Sequence, residues 1–146
     1  MLKVFLVGIS FCLFSYYELP AQESYAKLRG KNNFRIALNE IGNEDFKNAM
    51  ISLKAARKWF RKGDNCQDEL LCVNAEMAYV YAHQGKRLRG YLLNRKCERM
   101  LTKHEINNEH AWAMFVANTY FWLNFYKRGE ALMKKQEILL KQSLKM

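Results

Sequence analysis

Ala78-Tyr79-Val80-Tyr81-Ala82-His83-Gln84-Gly85-Lys86-Arg87-Leu88-Arg89-Gly90 and Ala117-Asn118-Thr119-Tyr120-Phe121-Trp122-Leu123-Asn124-Phe125-Tyr126-Lys127-Arg128-Gly129 are two versions of one pattern. At equal offsets each gives a small residue (Ala78, Ala117), a Tyr (Tyr81, Tyr120), a turn and a second small residue (Gly90, Gly129). A third copy lies upstream, with Ala37, Glu44, Asp45-Phe46-Lys47-Asn48-Ala49 and Ala56 at the same offsets. The small residues Ala49, Gly90 and Gly129 are 41 and 39 positions apart. Self-similarity at such a spacing is the mark of repeat architectures, in which each supersecondary unit buries its apolar face on its neighbours.

Around these positions the apolar spacing is helical. Phe34, Ala37, Leu38 and Ile41 fall at steps of three and four before Gly42-Asn43, and Phe46, Ala49, Met50, Leu53, Ala56 and Phe60 follow on a second helix. The stretch from Leu70 to His83 is apolar on more than one face, as expected for a helix held between neighbours. Helices are further predicted over 88–101, with Leu88, Tyr91, Leu92, Cys97 and Met100 inward, over 109–123, and over 126–144. The expected fold is therefore all-α, one domain over 34–146, with three antiparallel hairpins at about 34–61, 67–104 and 109–144. The polar segment 23–33, which carries Gly30, is expected to be a linker or a frayed lead-in to the first helix.

The three hairpins resemble the tetratricopeptide repeat. In that family a small residue and a Tyr on the first helix face a small residue and an Ala on the second, because closely crossing helices leave no room for more. The resemblance assigns repeat packing to Ala37, Ala49, Ala56, Ala78, Tyr81, Gly90, Ala117, Tyr120 and Gly129, and Asp45 to Ala49 matches the family's turn best. Three features depart from the family: Glu40 stands at the first Tyr position, the early Trp is missing from two hairpins, and the period exceeds the usual 34. The resemblance implies a short α-solenoid whose concave face, lined by the first helix of each hairpin, holds an extended peptide. Tyr79, His83, Asn118, Phe121 and Trp122 are the expected partner-binding residues, aromatic rings and amides being common interface anchors.

Composition agrees with a helical reading. The chain has 146 residues, half of them apolar, with a single proline and seven glycines, which leaves little turn chemistry for an all-β fold. Its 24 Lys and Arg against 14 Asp and Glu give a net charge of +10, a bias toward acidic partners. Polyanion binding through the basic last helix is the alternative function, although nucleic acid is not the expected partner. Leu132, Met133, Ile138, Leu139, Leu140, Leu144 and Met146 give that helix more apolar surface than one inner face needs. The excess points to self-association, or to a place in a larger envelope protein or complex.

Met1-Leu2-Lys3 and the apolar run Val4–Phe14 have the form of an export signal, too short for a membrane span and broken by Glu18 and Pro20. Leu19-Pro20-Ala21-Gln22 offers cleavage after Ala21 or Gln22, an ending similar to export signals of Bacteroidetes-type bacteria. Residues 1–22 are thus expected to direct the chain to the periplasm or envelope; an uncleaved anchor or an apolar first helix is the other reading. Phe11 before Cys12 disfavours a lipobox.

In an oxidising compartment Cys66 and Cys72, six residues apart, are candidates for a small disulfide. Cys97 aligns with Ala56 and Gln136 as a buried small residue. No metal site is expected, since His83, His104 and His110 show no ligand spacing with the thiols. No cofactor is expected either, and no nucleophile, phosphate-loop or metalloprotease motif is present.

Overall fold

A computed structural model describes residues 24–143; the expected export signal and its cleavage site lie outside the described residues. Among these residues there are six helices and no strand: α1 (Tyr25–Gly42), α2 (Phe46–Phe60), α3 (Gln67–His83), α4 (Arg87–Lys103), α5 (Glu109–Trp122) and α6 (Tyr126–Ser143). The most extensive contacts join α1 to α2, α3 to α4 and α5 to α6; further contacts join α2 to α3, α3 to α5 and α4 to α5.

The three turns inside the helix pairs are one structure built three times. At the end of α1, the amides of Asp45 and Glu44 donate to the carbonyls of Glu40 and Ile41, both at 2.9 Å. Lys86 and Gly85 donate to Tyr81 and Ala82 at 2.9 and 3.1 Å, and Phe125 and Asn124 donate to Tyr120 and Phe121 at 2.8 and 2.9 Å. Each pair of bonds is a Schellman motif, which satisfies the last carbonyls of a helix by placing one residue in the left-handed region. That residue is Glu44 (φ 59°), Gly85 (φ 70°) or Asn124 (φ 63°). Gly and Asn suit the position, whereas Glu44 adopts it at a cost of about 1 kcal/mol.

Beyond each turn the chain re-enters a helix against the one it has left. A Cβ on Gly90 would stand 3.2 Å from the Ala78 carbonyl and 2.6 Å from Leu123 Cδ2. One on Gly129 would stand 3.0 Å from the Ala117 carbonyl and 2.9 Å from the Phe121 ring. At the equivalent first-repeat positions Ala37 and Ala49 are fully buried, as are Ala56, Ala78 and Ala117; Tyr120 is buried and Tyr81 half-buried.

Two expectations are corrected. The segment 23–33 is not a linker, since α1 begins at Tyr25. Ser24 caps it by accepting from the Lys27 amide, and Gly30 lies under the Phe60 ring, which leaves no space for a Cβ. Lys27 Nζ meets the buried Glu69 carboxylate at 2.8 Å, while Tyr25 and Arg29 pack on Trp59. Nor do Leu88 and Leu92 face inward: they are 69% and 59% exposed, and α4 buries the expected Cys97 and Met100 together with Gly90, Asn94 and Leu101. Its inner face includes Asn94, whose side-chain amide nitrogen donates to the Val116 carbonyl at 2.8 Å, while its buried Oδ1 has no hydrogen-bond partner.

Gly90→Ala is expected to destabilise the chain by about 1–3 kcal/mol through overpacking. Gly42→Ala, where an added Cβ meets nothing within 4 Å, should leave stability unchanged or raise it by up to about 1 kcal/mol. Urea unfolding of both variants checks the contrast, and equal losses would refute the close-crossing argument.

Candidate interaction face

The turns deliver aromatic side chains to one end of the helix pairs. Phe46 follows the first turn, Tyr79 and His83 lie one helical turn apart near the end of α3, and Phe115 and Trp122 lie two turns apart on α5. The His83 ring stacks on Phe46, with centroids 4.6 Å apart and planes 12° apart, and meets Tyr79 at 4.4 Å and Trp122 at 4.9 Å. Tyr79 also meets Trp122 edge-on at 6.3 Å and Phe115 at 6.1 Å. Three helices from three pairs thus contribute to one aromatic cluster.

Hydrogen bonds between pairs fix its frame. Gln84 Nε2 donates to the Phe46 carbonyl at 2.9 Å, and Arg87 Nε donates to the Leu123 carbonyl at 3.1 Å. Burial pushes the Tyr79 hydroxyl up to about 12, with the nearby Glu76 and Glu44 carboxylates adding to the shift, so it stays protonated at neutral pH. Tyr79 is the buried base of the cluster, His83 is half-buried, and Trp122, 37% exposed, is its surface.

Of the five expected partner-binding residues, Tyr79, His83 and Trp122 are brought together. Asn118 is half-buried one helical turn before Trp122. Phe121 is not part of the group: its ring packs beside Gly129 and Tyr126, at 6.0 Å from the latter, where it lines the crossing of α5 and α6. Sequence reasoning missed Phe46 and Phe115 as members. Phe46 is traceable to its place directly after a helix-ending turn, but nothing local distinguishes Phe115 from an ordinary core residue.

A second constellation joins α4, α5 and α6. Glu98 accepts from the Tyr120 hydroxyl at 2.8 Å and from Arg128 Nε and Nη2 at 3.1 and 3.0 Å. Burial and the hydrogen bond to Glu98 raise the Tyr120 hydroxyl far above its ordinary range. The same carboxylate borders a groove of about 460 Å³ lined also by Lys127, Arg128, Ala131, Leu132 and Lys135.

Cys66, Cys72 and Cys97 are buried, and no disulfide joins any two of them. Cys66 caps α3 and Cys72 lies six residues into it, which separates their Cα atoms by about 9 Å along the axis. That exceeds the roughly 7 Å reach of a disulfide, so the expected Cys66–Cys72 bridge is not formed. Cys66 Sγ instead donates to the Asp64 carbonyl at 3.3 Å. Burial raises the Cys72 thiol strongly, helped by the Glu69 and Glu76 carboxylates, and pushes Cys97 up to about 12, so neither is a ready nucleophile at neutral pH. Among the described residues no three His, Cys, Asp or Glu side chains are grouped to hold a metal ion, and no helix is long and apolar enough to cross a membrane.

Comparison of the chain with protein-family models, with curated proteins and with solved structures finds no match in any of the three.

The Glu98 network gives a stability test. Tyr120→Phe and Arg128→Ala should each destabilise, and because both partners share one carboxylate their effects should be non-additive by about 0.5–1 kcal/mol. Thermal unfolding of the two single variants and the double variant measures the coupling; strict additivity would dissolve the network into independent contacts.

Proposed function

We propose that the chain is a non-catalytic interaction scaffold: a short α-solenoid of three tetratricopeptide-like hairpins, exported by residues 1–22, that holds a protein segment against its aromatic face. The observation that carries the reading is the cluster of Phe46, Tyr79, His83 and Trp122, drawn from three helix pairs and partly open at Trp122. A rigid aromatic platform of this kind loses little conformational entropy on binding, which is why Trp and Tyr dominate binding hot spots. The repeated Schellman turns support it, since they set equivalent helices in equivalent positions.

A contact beyond this face is favoured by the end of α6, where Ile138, Leu139 and Leu140 are 56%, 44% and 43% exposed. Terminal repeats ordinarily present a polar outer face. The exposed aliphatics therefore fit either a second copy or a further module of a larger envelope assembly, and light scattering of the purified chain separates a self-associating species from a monomer.

For the aromatic face, capture of protein ligands from an envelope extract by the immobilised chain is compared with capture by Trp122→Ala and His83→Ala. Each variant is expected to weaken the bound ligand at least about tenfold, as removal of an interface anchor does. Undiminished capture by both variants, with unchanged helical content by circular dichroism, would overturn the reading.

A further inference from the structure

The two sets of helices differ in sign of charge. The odd-numbered helices carry four Lys and Arg against five Asp and Glu, and α3 and α5 contain no Lys or Arg. The even-numbered helices carry fifteen Lys and Arg against three Glu. Each even helix buries its apolar face on odd ones: α2 on α1 and α3, α4 on α3 and α5, α6 on α5. Their opposite faces therefore point away from the odd-numbered layer.

Those outward lines are equivalent in the repeat. On α2 the line opposite the buried Ala49 and Leu53 is Lys47, Ile51, Lys54 and Lys58, at helical steps of four, three and four. The same repeat positions on α4 are Leu88, Leu92, Arg95 and Arg99, opposite the buried Gly90, Asn94 and Cys97. On α6 they are Lys127, Ala131, Lys134 and Ile138, opposite the buried Gly129, Leu132 and Gln136. Every one of these positions is a cation or an aliphatic residue, and none is acidic. The aliphatics are open to solvent: Ile51 61%, Leu88 69%, Leu92 59% and Ile138 56%. Of the three even-helix acids, Glu98 is engaged by Tyr120, Arg128 and, at 4.0 Å, Arg95, and Glu137 by Lys141, while Glu130 is exposed beside the α6 line.

We propose that this outer face docks on the surface of an anionic lipid bilayer, with the cations meeting headgroup phosphates and the interleaved aliphatics entering the headgroup–acyl boundary. Cations alone would fit any polyanion, but exposed Ile and Leu at the same repeat positions fit an interface that is charged at its surface and apolar beneath. Single-stranded nucleic acid is bound on stacking platforms, and none of the twelve positions is aromatic. The proposal is independent of the peptide-holding reading, which uses a different surface: the aromatic residues near the ends of the odd helices and at the start of α2.

The test is cosedimentation of the full chain with vesicles of phosphatidylcholine, alone or mixed with phosphatidylglycerol, at low and high salt. The apolar run Val4–Phe14 is common to every arm, and the neutral vesicles measure its contribution. Anionic vesicles should bind more tightly, with Lys58→Gln and Arg99→Gln each weakening binding about fivefold at low salt. Leu92→Ser with Ile138→Ser should remove the binding that persists at high salt while leaving thermal unfolding unchanged, since both side chains are exposed. Equal binding to neutral and anionic vesicles, insensitivity to all four substitutions, or displacement from anionic vesicles by duplex DNA at equal phosphate would overturn the proposal.

Discussion

Everything in this molecule depends on how closely one helix can cross the helix it has just left. The backbone carbonyls of Ala78 and Ala117 stand only 3.2 and 3.0 Å from where the Cβ atoms of Gly90 and Gly129 would lie, so the second helix of each pair re-enters at a distance only small residues permit. The Schellman turn aims that crossing. With its six-to-one bond closed, the chain reverses in three residues, and the small residue arrives one helical turn later against the small residue that preceded the turn. Crossing and turn specify each other, which is why both recur at the same spacing.

Close crossing within pairs leaves broader seams between pairs, and polar groups close them. Asn94 reaches the Val116 carbonyl, Gln84 the Phe46 carbonyl and Arg87 the Leu123 carbonyl, each from one pair to another. Glu98 gathers Tyr120 and Arg128, and Lys27 meets the buried Glu69. Hydrocarbon packing is indifferent to register, whereas a buried amide or carboxylate has one satisfied position, so such contacts favour one stacking of the pairs over slipped ones.

Repetition was the legible part of this structure because it is carried by residues whose size or backbone conformation decides the outcome locally: Gly85, Asn124, Gly90 and Gly129. Helix existence followed for the same reason. What escaped was information held by distant residues. The helical start of α1 depends on Phe60 and Trp59, thirty positions on, and its own composition reads as polar. Leu88 and Leu92 look like an inner face by hydropathy alone, but Gly90 must point inward, and that turns both leucines outward. Cys66 and Cys72 are near in sequence yet too far apart along a helix to bond. The aromatic cluster was half legible: Tyr79, His83 and Trp122 share a face by periodicity, while Phe46 joins them only through the turn, and Phe121 points to the crossing.

The charge asymmetry cannot be assigned to burial alone. Burial accounts for the scarcity of charge on α3 and α5, each packed against several neighbours. It does not account for sign. Exposed positions on α2, α4 and α6 accept Glu as readily as Lys, and mixed charge would relieve repulsion that the present surface leaves to solvent and salt. Yet α3 keeps three acids among its seventeen residues, with Glu69 and Glu76 buried there, while the outward lines of the even helices have none. Acids thus stand where they are costly on α3 and are few on the even helices, where only Glu130 and Glu137 of α6 are exposed, an arrangement with a physical rationale if the outer face meets negative charge. The exposed leucines and isoleucines on the same lines add the second requirement, a partner with an apolar layer beneath that charge.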